Sequence, residues 1–320
     1  MAAPAASDTV RAARLTQLGG PLLVEEVALP APAADEVRID LTYGGVNPID
    51  RYLAEGWVAP DAPRPRTLGG EASGRLDGRP VLVAGEGLGT ARDGVWAHAA
   101  IVPRGAVVEV PEGVDLQSAA AMGVAGLTAI NCVREVARVR AGDRVIVLGA
   151  SGGVGSMIVS LCHAAGATVW GQTGSEAKVA GIAEFGAERV LVGDGEQIAA
   201  PLAEFAPTLA FDPLGDGFVA ALVGAAAPRG RIVSFGVSAG GEVTFNIQQL
   251  YRKHLSLLGY AGGMIGPAER RAGLVRALDA VRAGEMRVRI DTVMPLEEVN
   301  EALRRIVDRR VEGNLLLDLS

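Results

Sequence analysis

Cysteine and histidine are scarce in this 320-residue chain, which holds two of the first and three of the second. Cys132 and Cys162 are too few for a disulfide framework and read as free thiols of a reducing compartment. They are also too few for a four-cysteine structural zinc site. His98, His163 and His254 are widely separated and match no metal-ligand spacing, so packed or surface histidines are expected and no metal site is assigned. Positive charge is short as well: 30 Lys and Arg against 37 Asp and Glu leave a net charge of -7. No global basic field results, which argues against nucleic acid or an anionic membrane surface and favours a small-molecule partner. No apolar run approaches the ~18–20 residues of a membrane span. The opening MAAPAASDTVRAARL lacks a signal-peptide hydrophobic region, so a cytoplasmic location is expected.

What is present is enough apolar sequence for two cores. The length exceeds what one core usually organises, and 49% hydrophobic against 21% charged residues is a globular balance. From about residue 10 to 110, VRAARL, EVRIDLTY, RPVLVAG, WAHAAIVP and AVVEVP read as short strands broken by Gly and Pro. The texture then changes. DLQSAAAMGVAGLTAINCVREVARV reads as helix, and VIVLGA, ATVWGQT, RVLVG, LAFDPLG, RIVSFGV and LSLLGY are apolar runs suited to a parallel doubly wound sheet. After Tyr260, Leu274, Leu278 and Val281 recur at helical spacing, LEEVNEALRRIVDRR forms a second amphipathic helix, and LLLDL a final strand.

The most specific motif is VIVLGASGGVGSMIVSLCHAAGATVWGQTGS, which runs strand, loop, helix, strand. Ala150, Gly152 and Gly155 match the G/A-x-G-x-x-G spacing, with Ser151, Gly153 and Val154 between them. Small residues permit a tight turn and close approach to a pyrophosphate, and the helix N-terminus offers unpaired N–H groups to the anion. A site for NAD usually ends the second strand with Asp or Glu; here stand Gln172, Thr173, Gly174 and Ser175. No carboxylate there repels a 2′-phosphate, Ser175 can donate to it and Lys178 can supply charge, so NADPH is the expected cofactor. Ser175 serves equally as N-cap for a helix over Glu176–Glu184, and Lys178 as a solvated helix lysine.

GGVNPID, LGGEASG, AAAMGVAGLTA, GASGGVG and VSFGVSAG occur in an order that resembles the quinone oxidoreductase branch of the medium-chain dehydrogenase/reductase superfamily over nearly the whole chain. The resemblance implies an α/β protein with a GroES-like, mostly β domain from residues 1–122 and 262–320. A Rossmann domain with a doubly wound parallel sheet, residues 123–261, is inserted into it. It further implies a homodimer and NADPH-dependent reduction of a quinone or activated alkene. The zinc-dependent branch would carry Cys near Asn47 and Gly-His-Glu where Gly69, Gly70 and Glu71 stand, so a zinc-independent enzyme is expected. The stretch Arg75–Ala97 is shorter than the family's usual segment.

Hydride transfer needs a positioned nicotinamide and stabilisation of the charge that develops on a carbonyl oxygen, which neutral donors can provide. The resemblance places Asn47 and Tyr52 in the nicotinamide and substrate cleft and Thr128 near the nicotinamide. Tyr52 is the better proton-donor candidate, with solvent the other source. Asn47 before Pro48 also suits a turn, Tyr52 packing, and Thr128 a helix cap. Phe235 and Gly236 fall at a later strand end and Asn314 in a terminal region, all expected near the cofactor; Asp212 suits a turn equally. An enoyl-thioester reductase is the close alternative, for which arginines 64, 66, 75 and 79 would form a basic entrance, and a non-catalytic NADPH-binding regulator the remote one.

Overall fold

Period-two burial organises the first unit around the strand Glu36–Val46, where Val37, Ile39 and Leu41 are buried while Arg38 and Asp40 face solvent. The computed structural model describes residues 8–320. In a seven-stranded sheet the spatial order is Ile290–Pro295, Asn314–Asp318, Glu36–Val46, Glu71–Leu76, Arg79–Ala84, Val107–Glu109, and Ala99–Pro103 also pairs with Glu36–Val46. Strand Asn314–Asp318 lies antiparallel to Glu36–Val46, so early and late sequence share one sheet. A smaller sheet runs Leu23–Ala28, Thr9–Leu15, Arg66–Thr67. The unit comprises Met1–Gly126, Gly266–Arg282 and Arg289–Ser320.

Two sequence motifs meet on one tryptophan there. Trp96 is fully buried and its indole N–H donates to the Gly45 carbonyl at 3.1 Å. A Cβ on Gly69 would lie 2.4 Å from Trp96 Cδ1, and one on Gly44 2.8 Å from the same atom. Gly69 also has φ +95°, a conformation that side chains resist. The glycines of GGVNPID and LGGEASG therefore let strand Glu36–Val46 and the segment before Glu71–Leu76 close on the indole.

The second unit, Leu127–Ile265 with Ala283–Val288, is built on a six-stranded parallel sheet. Its order is Arg189–Val192, Thr168–Thr173, Arg144–Val147, Leu209–Asp212, Arg231–Ser234, Ser256–Gly259. The chain winds outward from Arg144–Val147 in one direction and then the other, so the sheet has a switch point between that strand and Leu209–Asp212. Helix Gly153–Ala164 follows the first strand and stops before Gly166, whose φ is +78°. Residues 283–288, read from sequence with the other domain, pack in this unit because Met286 is buried and the Arg287 N–H donates to Ser160 Oγ at 3.0 Å.

The Ala-rich stretch read as helix is segmented: Leu116–Ala120, a π-helical turn Met122–Gly126, Leu127–Asn131 and a second π turn Cys132–Val136. Such turns insert a residue and redirect side chains, often at functional sites. The division between the two units falls within this run, after Gly126.

Gly69→Ala is expected to lower stability by about 2–4 kcal/mol, combining left-handed strain with overpacking against Trp96. Urea denaturation would check it, and a wild-type midpoint would show that the indole can move away.

Candidate active site

The glycine loop is held by a side chain of the next strand. Gln172 is buried; its Oε1 accepts from the Gly149 N–H at 3.0 Å, and its Nε2 donates to the Gly193 carbonyl at 2.7 Å. Its backbone carbonyl accepts from Ala150 N–H at 2.9 Å. Gln172 is thus a strut rather than a ribose contact. Gly149 takes φ +59°, and Gly152 N–H closes a turn on the Gly149 carbonyl at 3.0 Å. A Cβ on Gly155 would stand 2.3 Å from the Gly149 oxygen, so glycine there lets the helix pack against the loop. A Cβ on Gly152 would approach only that oxygen, at 3.5 Å, which leaves open space before the helix. Ser151, Gly152, Gly153 and Val154 are half-buried, and the first-turn N–H groups have no intrahelical acceptors. This cradle, at the switch point, suits a pyrophosphate.

At the end of Thr168–Thr173, Thr173 is buried and Gly174 exposed; Thr173 Oγ1 accepts from Ser175 N–H at 3.3 Å. Ser175 precedes a 3-10 turn Glu176–Lys178 and its side chain caps nothing; an α-helix follows only over Val179–Glu184. The helix read over Glu176–Glu184 is therefore split, and the capping alternative for Ser175 is not used. Lys178 sits on that turn, its N–H donating to the Ser175 carbonyl at 3.1 Å, and both residues are half-exposed beside the exposed Glu176.

The neighbouring strand ends converge on the loop. Phe235 N–H donates to the Asp212 carbonyl at 3.0 Å, Gly236 passes so near that a Cβ would be 2.8 Å from the Pro213 oxygen, and Pro213 abuts Gly149. Asp212 is a turn cap: Oδ1 accepts from Leu214 and Gly215 N–H groups at 2.8 and 3.0 Å, and burial raises its pKa. Thr128 lies half-buried in Leu127–Asn131 of the same unit. Asn314 belongs to the other unit, where its side-chain amide donates to the Arg289 carbonyl at 3.0 Å and holds a strand pair.

In the first unit, Asn47 caps helix Pro48–Glu55 from an extended conformation, with Pro48 at the first helical position. Its N–H donates to Asp50 Oδ2 at 2.8 Å. Gly56, at φ 80°, ends the helix and folds the chain back so that exposed Trp57 stacks on half-buried Tyr52 at 5.4 Å, with the Arg51 guanidinium 5.0 Å from the indole centroid. Asn47 Nδ2 donates to Glu71 Oε1 at 2.5 Å, and Val124 N–H to Glu71 Oε2 at 2.8 Å. Sequence reasoning named Glu71 only as the remnant of a metal motif. Its signal was a lone carboxylate in a run of small and apolar residues, LGGEASG.

The arginines proposed as a basic entrance are engaged locally. Arg64 donates to the Pro60 and Ala62 carbonyls, Arg66 is buried against the Gly89 carbonyl, Arg75 bonds Gly78, and Arg79 approaches Glu109 at 3.9 Å. Among the described residues no group of three or more His, Cys, Asp or Glu is placed to hold a metal ion, and no helix is long and apolar enough to cross a membrane.

Burial pushes Asp50 up to about 8, helped by the charge of Glu71, and pushes Glu71 up to about 7. Both folded values exceed the unfolded ones near 4, so the folded chain keeps protons that the unfolded chain has lost. Stability from these groups is full below about pH 4 and is lost as pH rises through about 7 and 8. Wild-type stability to urea should fall by a few kcal/mol between about pH 5 and 8 from this pair. Asp50→Asn and Glu71→Gln should each flatten that slope, and parallel slopes in all three proteins would refute the assignment.

Comparison with known proteins agrees with this architecture. The family described as zinc-binding dehydrogenase matches residues 153–280. The chain is 27% identical to quinone oxidoreductase-like protein 2 of Mus musculus, covering 97% of this chain and 92% of that one. It is 30% identical to a probable acrylyl-CoA reductase of Escherichia coli K12, covering 76% of each. A solved NAD-dependent alcohol dehydrogenase superposes with a TM-score of 0.88 at 26% identity, over 97% of this chain and 100% of the other. The glycine cradle, the two-unit α/β fold and these relatives place the chain in the medium-chain dehydrogenase/reductase superfamily, and within it in the quinone oxidoreductase branch.

Proposed function

We propose that the protein is an NADPH-dependent oxidoreductase that transfers hydride to a quinone or α,β-unsaturated carbonyl without zinc. The observation that carries this reading is the Gln172-braced cradle followed by a strand end that presents Thr173, Gly174, Ser175 and Lys178 and no carboxylate before Glu176. Backbone N–H groups at Ser151–Gly155 would hold the pyrophosphate, and Ser175 with Lys178 the 2′-phosphate. Phe235, Gly236 and Thr128 would border the nicotinamide half, and Asn314 would act on the cofactor only through the strand pair it fixes.

Bound nicotinamide supplies hydride from its C4. Asn47 would donate an N–H to the acceptor's oxygen as charge gathers there, and Tyr52, its ring held by Trp57, or solvent would deliver the proton. Asn47 and Gly70 are the residues that stand where the resemblance would put the Cys and His of the zinc-dependent branch, and the reading without zinc rests on those identities. The acrylyl-CoA reductase relative favours a second reading, an enoyl-thioester reductase built on the same cofactor cradle.

The chain would work in the cytoplasm as a homodimer. Support comes from Ser256–Gly259, an outer strand of the parallel sheet with exposed Leu257, together with exposed Ile247 and Tyr251 on the helix just before it.

Three measurements test this reading. Loss of 340 nm absorbance with NADPH, but not NADH, on adding quinones or enones is expected; turnover of crotonyl-CoA alone would select the thioester reading, and none with any acceptor would leave a nucleotide-binding regulator. Ser175→Asp with Lys178→Ala should weaken NADPH roughly 10-fold or more and NADH little, because charge-assisted phosphate contacts contribute about 1.5–3 kcal/mol each. Light scattering should give twice the chain mass, and Leu257→Lys should shift it toward the monomer.

A further inference from the structure

Glu71 is 1% exposed and accepts hydrogen bonds at both carboxyl oxygens. Oε1 receives Asn47 Nδ2 and Oε2 receives Val124 N–H, with the Gly123 N–H also directed at the carboxyl. No Lys, Arg or His forms an ion pair with it among the described residues. Room for the group comes from glycine on two sides. A Cβ on Gly45 would stand 2.3 Å from Oε1, and one on Gly123 2.6 Å from Glu71 Cβ. GGVNPID and AAAMGVAGL thus each give up a side chain and donate an N–H to the carboxylate that LGGEASG supplies.

An apolar side chain of similar volume would fold there at less expense, because a desolvated carboxylate is seldom repaid by its partners alone. Retention therefore needs a reason beyond stability, and the geometry provides one. An asparagine amide has a donor end and an acceptor end of nearly equal shape, and a neutral neighbour can accommodate either. An ionised carboxylate only accepts, so in that form it forces the NH2 end of Asn47 toward itself. One N–H is spent on Glu71, and the second stays on the same nitrogen at a fixed position.

We propose that Glu71 is a positioning residue that locks the Asn47 amide as an N–H donor for the acceptor's oxygen; this rests on the reading of Asn47 given above. Glu71 itself touches neither cofactor nor substrate in this role. Gln at 71 keeps an oxygen for Asn47 but turns an N–H toward Val124, whereas Leu keeps volume and no acceptor.

The test compares wild type, Glu71→Gln, Glu71→Leu, Asn47→Ala and the Asn47→Ala/Glu71→Leu double variant, with NADPH and a quinone and enone panel. Glu71→Leu should lower kcat about 10- to 100-fold, the scale of losing one oxyanion donor, with NADPH Kd from fluorescence titration within about twofold. Glu71→Gln should fall between wild type and Glu71→Leu. The double variant should be no slower than Asn47→Ala, because Glu71 acts through that amide. Full kcat in Glu71→Leu, or losses that multiply in the double variant, would overturn the proposal.

A second readout does not depend on turnover. With 15N-labelled asparagine, five residues carry side-chain NH2 groups, and the signal missing in Asn47→Ala identifies the one of interest. In wild type one of its protons should be shifted downfield and slow to exchange, and in Glu71→Leu it should return to the free-amide position. An unchanged signal would sink the proposal even in an active enzyme. A wild type inert toward every acceptor, with the amide signal behaving as expected, would instead count against the functional reading alone.

Discussion

A carboxylate sealed inside the first unit has to recover its lost hydration through hydrogen bonds, and much of the local architecture follows from that requirement around Glu71. The N-cap of Pro48–Glu55 supplies one donor and the π turn Met122–Gly126 supplies others. Those donors reach the carboxyl only because Gly45 and Gly123 lack side chains. Next to it, Gly44 and Gly69 admit Trp96, whose own N–H is satisfied at Gly45. Two large buried groups, one ionisable and one aromatic, thereby explain four glycines that a sequence motif presents only as a pattern. Asp50 adds tension: it satisfies the Asn47 N–H, while burial, helped by nearby Glu71, raises its pKa.

The second unit solves a related problem with a neutral group. The glycine loop before helix Gly153–Ala164 has few partners of its own, and Gln172 supplies them from the adjacent strand. The amide suits this place because it accepts from Gly149 and donates to Gly193 at once, and a carboxylate could do only the first. The residue that removes negative charge from the strand end thus also braces the loop.

Patterns of period two and 3.6 were legible in the sequence wherever an element had one buried face. Strand Glu36–Val46 and the late helix bearing Leu274 and Leu278 are of this kind, while the second unit's strands were legible as short continuous apolar runs. The glycine loop was legible because its spacing encodes backbone geometry. Strand Leu23–Ala28 was not, since it is mostly exposed and carries two glutamates. Nor were the π turns, since the Ala-rich run has the propensity of an unbroken helix and tertiary demands, such as the approach of Gly123 to Glu71, override it. Glu71 and Asp50 were unreadable as a buried pair for a simpler reason: a carboxylate is normally a surface residue, and only the fold reveals that these two are enclosed.

Gly69 and Gly70 sharpen what distinguishes this branch. Gly69 cannot accept a side chain, by both its φ of +95° and the indole beside it. At Gly70 a Cβ would find nothing nearer than the Leu88 oxygen at 3.9 Å, so sterics do not require glycine where the zinc-dependent branch places histidine. Glycine at 69 is therefore a packing constraint, whereas nothing packed against 70 requires one. Beside them, Glu71 accepts an amide N–H from Asn47. Burial raises the pKa of Glu71 and the donors around it oppose that rise; once ionised, the carboxylate fixes the polarity of the amide it faces.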